Sequence, residues 1–119
     1  MKWKTFCHIK ALATFSAGLL MLLIPSLFWS LFGVHESEQF MVLSRILGTL
    51  YVALGIIFFH MRELVASADR KRTAITVGSA DLASAAILAV AASQVVLNPL
   101  TWVLVAVYGV FALAWFALG

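Results

Sequence analysis

The sequence contains little charge and few of the residue patterns that enzymes and metal sites need. Only 11% of its 119 residues are charged, whereas 64% are hydrophobic, and the mean hydropathy is +1.07. A chain of this size cannot hide so much apolar surface from water, which excludes an ordinary soluble domain. One cysteine, Cys7, excludes an internal disulfide. No complete catalytic, nucleotide or metal motif is present, so an enzyme is the less favoured interpretation.

Four apolar segments account for most of the chain. We predict membrane-spanning helices at residues 11–32, 40–61, 73–96 and 100–118. Each is close to the ~20 residues needed to cross ~30 Å of hydrocarbon. Because the connecting loops are short, we predict an all-α, up-down-up-down bundle of four transmembrane helices, with residues 1–119 as one domain. The first segment exceeds a signal-peptide core of ~7–15 residues and lacks a cleavage site, so we expect it to be retained.

Basic residues lie on one side of this alternating arrangement. Seven of the eight Lys and Arg residues precede the first span or lie between the second and third, while the opposite loops hold Glu36 and Glu38. Lys and Arg beside short loops stay cytoplasmic, which predicts a multi-pass protein of a bacterial inner membrane with both termini cytoplasmic. Two juxtamembrane basic clusters favour membrane lipid over nucleic acid as a partner. The four tryptophans fall at predicted membrane boundaries, as aromatic belts do: Trp3, Trp29, Trp102 and Trp115.

Two ionisable residues lie inside the predicted spans, where a charge costs ~2.5–3.5 kcal/mol on translocon scales. Counting residues from the span ends places Arg45 and Asp81 about 10 Å apart in depth, which disfavours an ion pair between them. We expect Arg45 to extend outward to lipid phosphate or to the outer-loop glutamates. Asp81 is expected to be neutral and to donate to Tyr51, Thr49 or a backbone carbonyl, with a proton relay as the alternative.

Small residues recur at helical spacing on two of the predicted helices, a pattern typical of surfaces where helices approach closely. On the second helix these residues are Ser44, Gly48 and Gly55, beside Tyr51. On the third helix the same face carries Ala74, Gly78, Asp81, Ala85 and Ala92. We interpret both faces as helix-packing surfaces. A slot for a lipid or quinone headgroup beside Tyr51 is the alternative.

Three potential metal ligands, Cys7, His8 and His60, map to the same predicted end of the membrane. Two imidazoles from facing helices can hold haem iron, and a cysteine with two histidines can hold a transition metal. No nearby carboxylate is evident to orient the imidazoles, and His8 precedes the predicted span. We therefore interpret them as interfacial residues and predict no metal and no cofactor, while bound lipid or quinone stays compatible with the sequence.

Residues 44–57, which contain Arg45-x-x-Gly48 and the later Gly55, resemble the second helix of small bacterial DoxX-like membrane proteins. The resemblance implies a four-helix inner-membrane protein, in some cases linked to quinone-dependent redox complexes, and it implies no catalytic residue.

Three functions are compatible with these features. We favour a structural or accessory subunit of a homo-oligomer or a larger membrane complex, because almost no chain lies outside the predicted spans. One alternative is a binder of a lipophilic cofactor such as quinone, pigment or haem. The other is a small proton-coupled transporter that uses Asp81.

Overall fold

The fold was obtained as a computed structural model, which describes residues 2–35, 37–94 and 97–119. Regular structure in these residues is helical throughout. The helices are α1 (Trp3–Leu23), α2 (Pro25–Ser30), α3 (Glu38–Met61), α4 (Ala68–Ser93) and α5 (Thr101–Leu118). All except α2 are long and apolar enough to cross a membrane. The predicted all-α, four-span fold class is therefore confirmed.

The first span differs most from its prediction. The sequence predicts one helix over residues 11–32, whereas α1 begins at Trp3 and ends at Leu23. Because Pro25 has no amide hydrogen, the helix breaks at Ile24, and α2 starts with Pro25 in its first turn. The chain leaves α2 through a turn in which Gly33 has a φ of 73°, a conformation that favours glycine. The predicted span is thus two helices.

Serine side chains fix the start of the second and third long helices. Ser37 Oγ accepts from the Phe40 amide at 3.1 Å, and Ser67 Oγ accepts from the Arg70 amide at 3.2 Å. Such bonds satisfy amides that have no partner within the first helical turn. As a result α4 begins at Ala68, earlier than the predicted residue 73. The end of the predicted third span, residues 95 and 96, lies outside the described residues.

Contacts divide the chain into two compact units. The amino-terminal unit is Lys4–Glu63, and the carboxyl-terminal unit combines Met1–Trp3 with Leu64–Gly119. The first unit contains most of α1, all of α2 and all of α3. The second contains α4 and α5, together with Trp3 at the start of α1. The prediction that residues 1–119 form one transmembrane domain stays a prediction.

Each unit is built on an antiparallel pair of long helices. In the amino-terminal unit, Gly18 of α1 lies against Gly48 of α3, and Phe15, earlier on α1, lies against Gly55, later on α3. In the carboxyl-terminal unit, Gly78 of α4 lies against Trp115 of α5. Rising numbers on one helix match falling numbers on its neighbour, as short connections between consecutive helices predict.

Candidate functional site

Asp81 is a buried acidic residue in the middle of α4, with an exposed fraction of 6%. The indole Nε1 of Trp115 donates a hydrogen bond of 3.0 Å to Asp81 Oδ2, and Trp115 is 0% exposed. Gly78 lies one turn before Asp81, and a Cβ placed there would be 3.0 Å from the Trp115 Cβ. The absence of a side chain at Gly78 therefore lets Trp115 approach closely enough to reach the acid.

Trp115 has a role that sequence reasoning did not identify. Its expected place in an aromatic belt at the membrane boundary stays a prediction, and its ring is packed inside the carboxyl-terminal unit, in edge contact with Trp3 at 5.4 Å between centroids. Asp81 and Trp115 each lie 17 residues from Asn98 in the turn that joins α4 to α5. In an antiparallel hairpin, equal distances from the turn bring two residues level, and this signal could have identified the pair.

The small-residue face of α4 coincides with the residues that this helix buries: Ala74, Gly78, Asp81, Ala85 and Ala92. On α3 the buried residues include Ser44, Gly48 and Gly55, while Tyr51 is partly exposed. Gly48, Gly55 and Gly78 all face side chains or backbone of their own unit. At these three glycines the close-packing surfaces are occupied within the chain, so their presence does not by itself indicate a second copy.

Arg45 and Thr49, the other polar residues considered near the centre of α3, are exposed. The Thr49 hydroxyl donates to the Arg45 carbonyl at 3.0 Å, a bond within its own helix that satisfies the hydroxyl locally. The expected reach of the Arg45 side chain to lipid phosphate stays a prediction.

Ser44 repairs the hydrogen bonding that Pro25 interrupts. In a continuous helix the amide of residue 25 would donate to the carbonyl of Met21, but proline has no amide hydrogen. The Ser44 hydroxyl on α3 donates to that carbonyl at 3.2 Å, and Trp29 Nε1 on α2 donates to Ser44 Oγ at 2.6 Å. One hydroxyl therefore connects three helices and bonds both the Met21 carbonyl and the part-buried Trp29 indole.

The crossing of α1 and α3 depends on two glycines. A Cβ on Gly48 would lie 2.7 Å from both the Gly18 carbonyl oxygen and the Leu22 amide nitrogen. A Cβ on Gly18 would lie 2.6 Å from the Val52 amide nitrogen. These are contacts with backbone, which cannot move aside. Sequence reasoning identified Gly48 but missed Gly18, although Ala11, Thr14 and Gly18 follow one another at helical spacing and are all buried.

Lys10 is a residue that sequence reasoning misplaced. It was counted in a basic cluster before the first span, whereas it lies within α1 with an exposed fraction of 4%, and its ammonium is 5.5 Å from the centre of the Phe58 ring. The residues Trp3, Phe6, Lys10 and Thr14 are all buried and follow helical spacing. This spacing was the available signal that α1 begins earlier than hydropathy alone indicates.

A polar cluster lies where α1 begins and α3 ends. His8 Nδ1 is 3.0 Å from the Lys4 carbonyl oxygen, and His8 Nε2 is 3.0 Å from Arg62 NH1. A carbonyl accepts and a guanidinium donates, so the arrangement fits the neutral tautomer with the hydrogen on Nδ1. The central carbon of the Arg62 guanidinium also lies 3.9 Å from the centre of the Phe59 ring, over its face. Arg62 Nε is 3.0 Å from Glu63 Oε1.

The three residues considered for a metal site are not arranged as a ligand set. Cys7 is 0% exposed, both ring nitrogens of His8 have the contacts described above, and the exposed His60 ring packs on Phe59. Within residues 2–35, 37–94 and 97–119, no group of three or more His, Cys, Asp or Glu side chains could hold a metal ion.

Arg70 links several parts of the carboxyl-terminal unit. Its NH2 group donates to the Leu118 carbonyl at 2.8 Å, at the end of α5, and its guanidinium lies 4.4 Å from the centre of the Trp3 ring. A cation at the carboxyl end of a helix also interacts favourably with the helix dipole. Arg70 is therefore a structural contact in this unit.

No known protein family, curated protein or solved structure matches this chain. The resemblance to DoxX-like proteins over residues 44–57 accordingly stays a prediction.

Proposed function

We propose that this multi-pass membrane protein acts as a structural or accessory subunit, in a homo-oligomer or in a larger complex of a bacterial inner membrane. Four helices are long and apolar enough to cross a membrane, and the described loops between them are short. Membrane helices associate through close packing and interhelical hydrogen bonds, and these are the contacts through which a subunit joins its neighbours.

The observation that carries this proposal is the bond from Trp115 to Asp81. Asp81 is the residue on which a proton-carrier role depends, and carriers hold such groups in water-filled cavities. Here the acid is 6% exposed and accepts a hydrogen bond from a fully buried indole. That environment suits a fixed contact between α4 and α5 better than a group that exchanges protons.

Native mass spectrometry of the full chain, extracted in mild detergent, tests the proposal. We expect defined multiples of the chain or a stoichiometric partner protein. A strictly monomeric chain without any partner protein would contradict the subunit role. A bound pigment, haem or quinone at one copy per chain would favour the cofactor-binding alternative instead.

The carrier alternative has its own test in proteoliposomes that contain an interior pH dye. Asn keeps the shape of Asp81 but cannot release and regain a proton. Proton movement by the parent protein that Asp81→Asn abolishes would replace the subunit proposal. We expect neither protein to move protons.

The proposed orientation is tested by labelling from outside the cell. His35 is exposed and lies in the loop before α3, and Cys7 is the only cysteine of the sequence. In a variant that combines Cys7→Ser with His35→Cys, an impermeant maleimide should react with intact spheroplasts. Reaction only after the membrane is permeabilised would reverse the proposed topology.

A further inference from the structure

An apolar groove of about 400 Å³ runs along the amino-terminal unit between α1 and α3. The small residues Ala11 and Gly55 line it together with larger apolar side chains and one histidine: Leu12, Phe15, Ile56, Phe59 and His8. Its volume falls in the range of roughly 300–1,000 Å³ that is typical of small-molecule sites. The groove lies on two helices that are candidates for membrane spans, so a lipophilic molecule can reach it from the bilayer.

The groove is almost entirely apolar and extends along α1. From His8 to Phe15 it follows α1 for about 10 Å, at a rise of 1.5 Å per residue. Apart from His8, each lining residue contributes carbon atoms rather than polar side-chain groups. A hydrocarbon chain lying parallel to the helices matches this lining, whereas a polar ring would leave its polar atoms unsatisfied there.

The end of the groove at His8 is positively charged. Arg62 NH1 donates to His8 Nε2, and the guanidinium lies over the Phe59 ring; His8 and Phe59 both line the groove. Lys4 lies one helical turn before His8 and is exposed. Glu63 offsets one of these two positive charges through its contact with Arg62 Nε. The guanidinium has five N–H donors, more than its contacts with His8 and Glu63 can use.

We propose that the groove binds an acyl chain of an anionic membrane phospholipid, whose phosphate is held by Arg62 and Lys4. The positive charges of Arg62 and Lys4 favour a lipid with a negatively charged phosphate over a neutral lipophilic molecule. Guanidinium groups bind phosphate oxygens through paired, charge-assisted hydrogen bonds. His8 accepts a bond from Arg62 and keeps the guanidinium beside the groove. The site assigns a lipid-anchoring role to the end of the unit where α1 begins and α3 ends.

The test uses the full chain, purified in detergent, delipidated and titrated with dioleoyl phosphatidylglycerol or dioleoyl phosphatidylcholine. Native mass spectrometry counts the lipids retained per chain. We expect phosphatidylglycerol to be retained preferentially. Arg62→Gln should lower that retention about fivefold, the equivalent of ~1 kcal/mol for one basic residue near the phosphate. Arg72→Gln is the control, because the Arg72 side chain is 80% exposed and lies outside the proposed site.

A second pair of variants tests the groove itself. Leu12→Trp places a larger ring on the groove, whereas Leu113→Trp makes the same change on α5, and the two leucines are 69% and 70% exposed. We expect only Leu12→Trp to reduce phosphatidylglycerol retention. If Arg62→Gln does not fold, Lys4→Gln is compared with Lys2→Gln, since both lysines are exposed.

Three results would overturn the proposal. Equal retention of the two phospholipids removes the role of the charged end. Equal effects of Leu12→Trp and Leu113→Trp place the bound lipid elsewhere. A neutral isoprenoid quinone that displaces phosphatidylglycerol, and that Leu12→Trp releases, identifies a different occupant.

Discussion

The two units bring their antiparallel helices together through different surfaces. In the amino-terminal unit, Gly18 and Gly48 let the backbones of α1 and α3 touch, since a Cβ on either would lie within 2.8 Å of backbone atoms of the other helix. In the carboxyl-terminal unit, the Cβ of a substituted Gly78 would meet side-chain atoms, first Phe116 Cε1 at 2.9 Å and then Trp115 Cβ at 3.0 Å. Backbone cannot yield, whereas the end of a side chain can rotate. Similar glycines therefore impose different constraints.

The units also differ in how they satisfy buried polar groups. In the amino-terminal unit, Pro25 removes a backbone hydrogen bond to the Met21 carbonyl, and the Ser44 hydroxyl donates to that carbonyl instead. In the carboxyl-terminal unit, Trp115 and Asp81 join two uninterrupted helices through side chains alone. The first arrangement corrects a local defect, and the second specifies the pairing of α4 with α5. Van der Waals packing and such bonds stabilise helix pairs in a membrane, where lipid removes most of the hydrophobic driving force.

The largest effect is expected at the backbone crossing of the amino-terminal unit. Gly48→Ala should destabilise the protein by ~3 kcal/mol or more, because the added methyl group overlaps backbone of α1 that has no alternative position. Thermal unfolding in detergent, followed by circular dichroism, measures the change. Gly109→Ala is the matched control, since a Cβ at Gly109 meets nothing within 4 Å. A Gly48→Ala protein as stable as the control would disprove the crossing.

Gly78→Ala should be milder and would sharpen the contrast between the units. Phe116 is 44% exposed, so its ring can move when a methyl group is added at Gly78, and the Trp115 Cβ, at 3.0 Å, has to shift by only a few tenths of an ångström. We expect a loss of ~1–2 kcal/mol, within the usual range for overpacking. The same unfolding assay compares it directly with Gly48→Ala. If Gly78→Ala lowered the free energy of unfolding as much as Gly48→Ala, the proposed distinction between backbone and side-chain contacts would be wrong.

At Asp81 we expect the shape and the acceptor oxygen to matter more than the charge. Asp81→Asn keeps an oxygen for the Trp115 indole and should retain stability, whereas Asp81→Leu should lose ~0.6–1.7 kcal/mol, the range of interhelical bonds in membranes. Trp115→Phe, which lacks the indole donor, should make the two Asp81 variants more alike. Unfolding by SDS titration provides the free energies. Additive effects of Trp115→Phe and Asp81→Leu would show that the bond contributes nothing.

The smallest effect, and the most specific, concerns Ser44 and Pro25. Ser44→Ala leaves the Met21 carbonyl and the Trp29 indole without this hydroxyl and should destabilise by ~1 kcal/mol. In a Pro25→Ala background the restored amide can bond Met21, so Ser44→Ala should have less effect there. A double-mutant cycle on unfolding free energies isolates this coupling. Equal effects in both backgrounds would contradict the compensating role of Ser44.

Much of the fold could be predicted because it follows from properties of single segments. Length and hydropathy locate apolar spans without knowledge of their neighbours. The α4 face that becomes buried could be predicted from the helical period, since Gly78 and Ala85 share a side with Asp81. Hydropathy failed at the start of α1, where Lys10 lowers the local average although packing buries it. Helix formation depends on backbone hydrogen bonds and does not require an apolar side chain at each position.

The sequence by itself determined that this is an all-α chain with four apolar helices and small residues on defined helix faces. The tertiary structure decided which polar atoms meet: Trp115 with Asp81, Ser44 with Met21, and Arg62 with His8. These pairs join residues that are 23–54 positions apart in the chain. Their meeting depends on the axial register of one helix against another, which the packing of many side chains sets together.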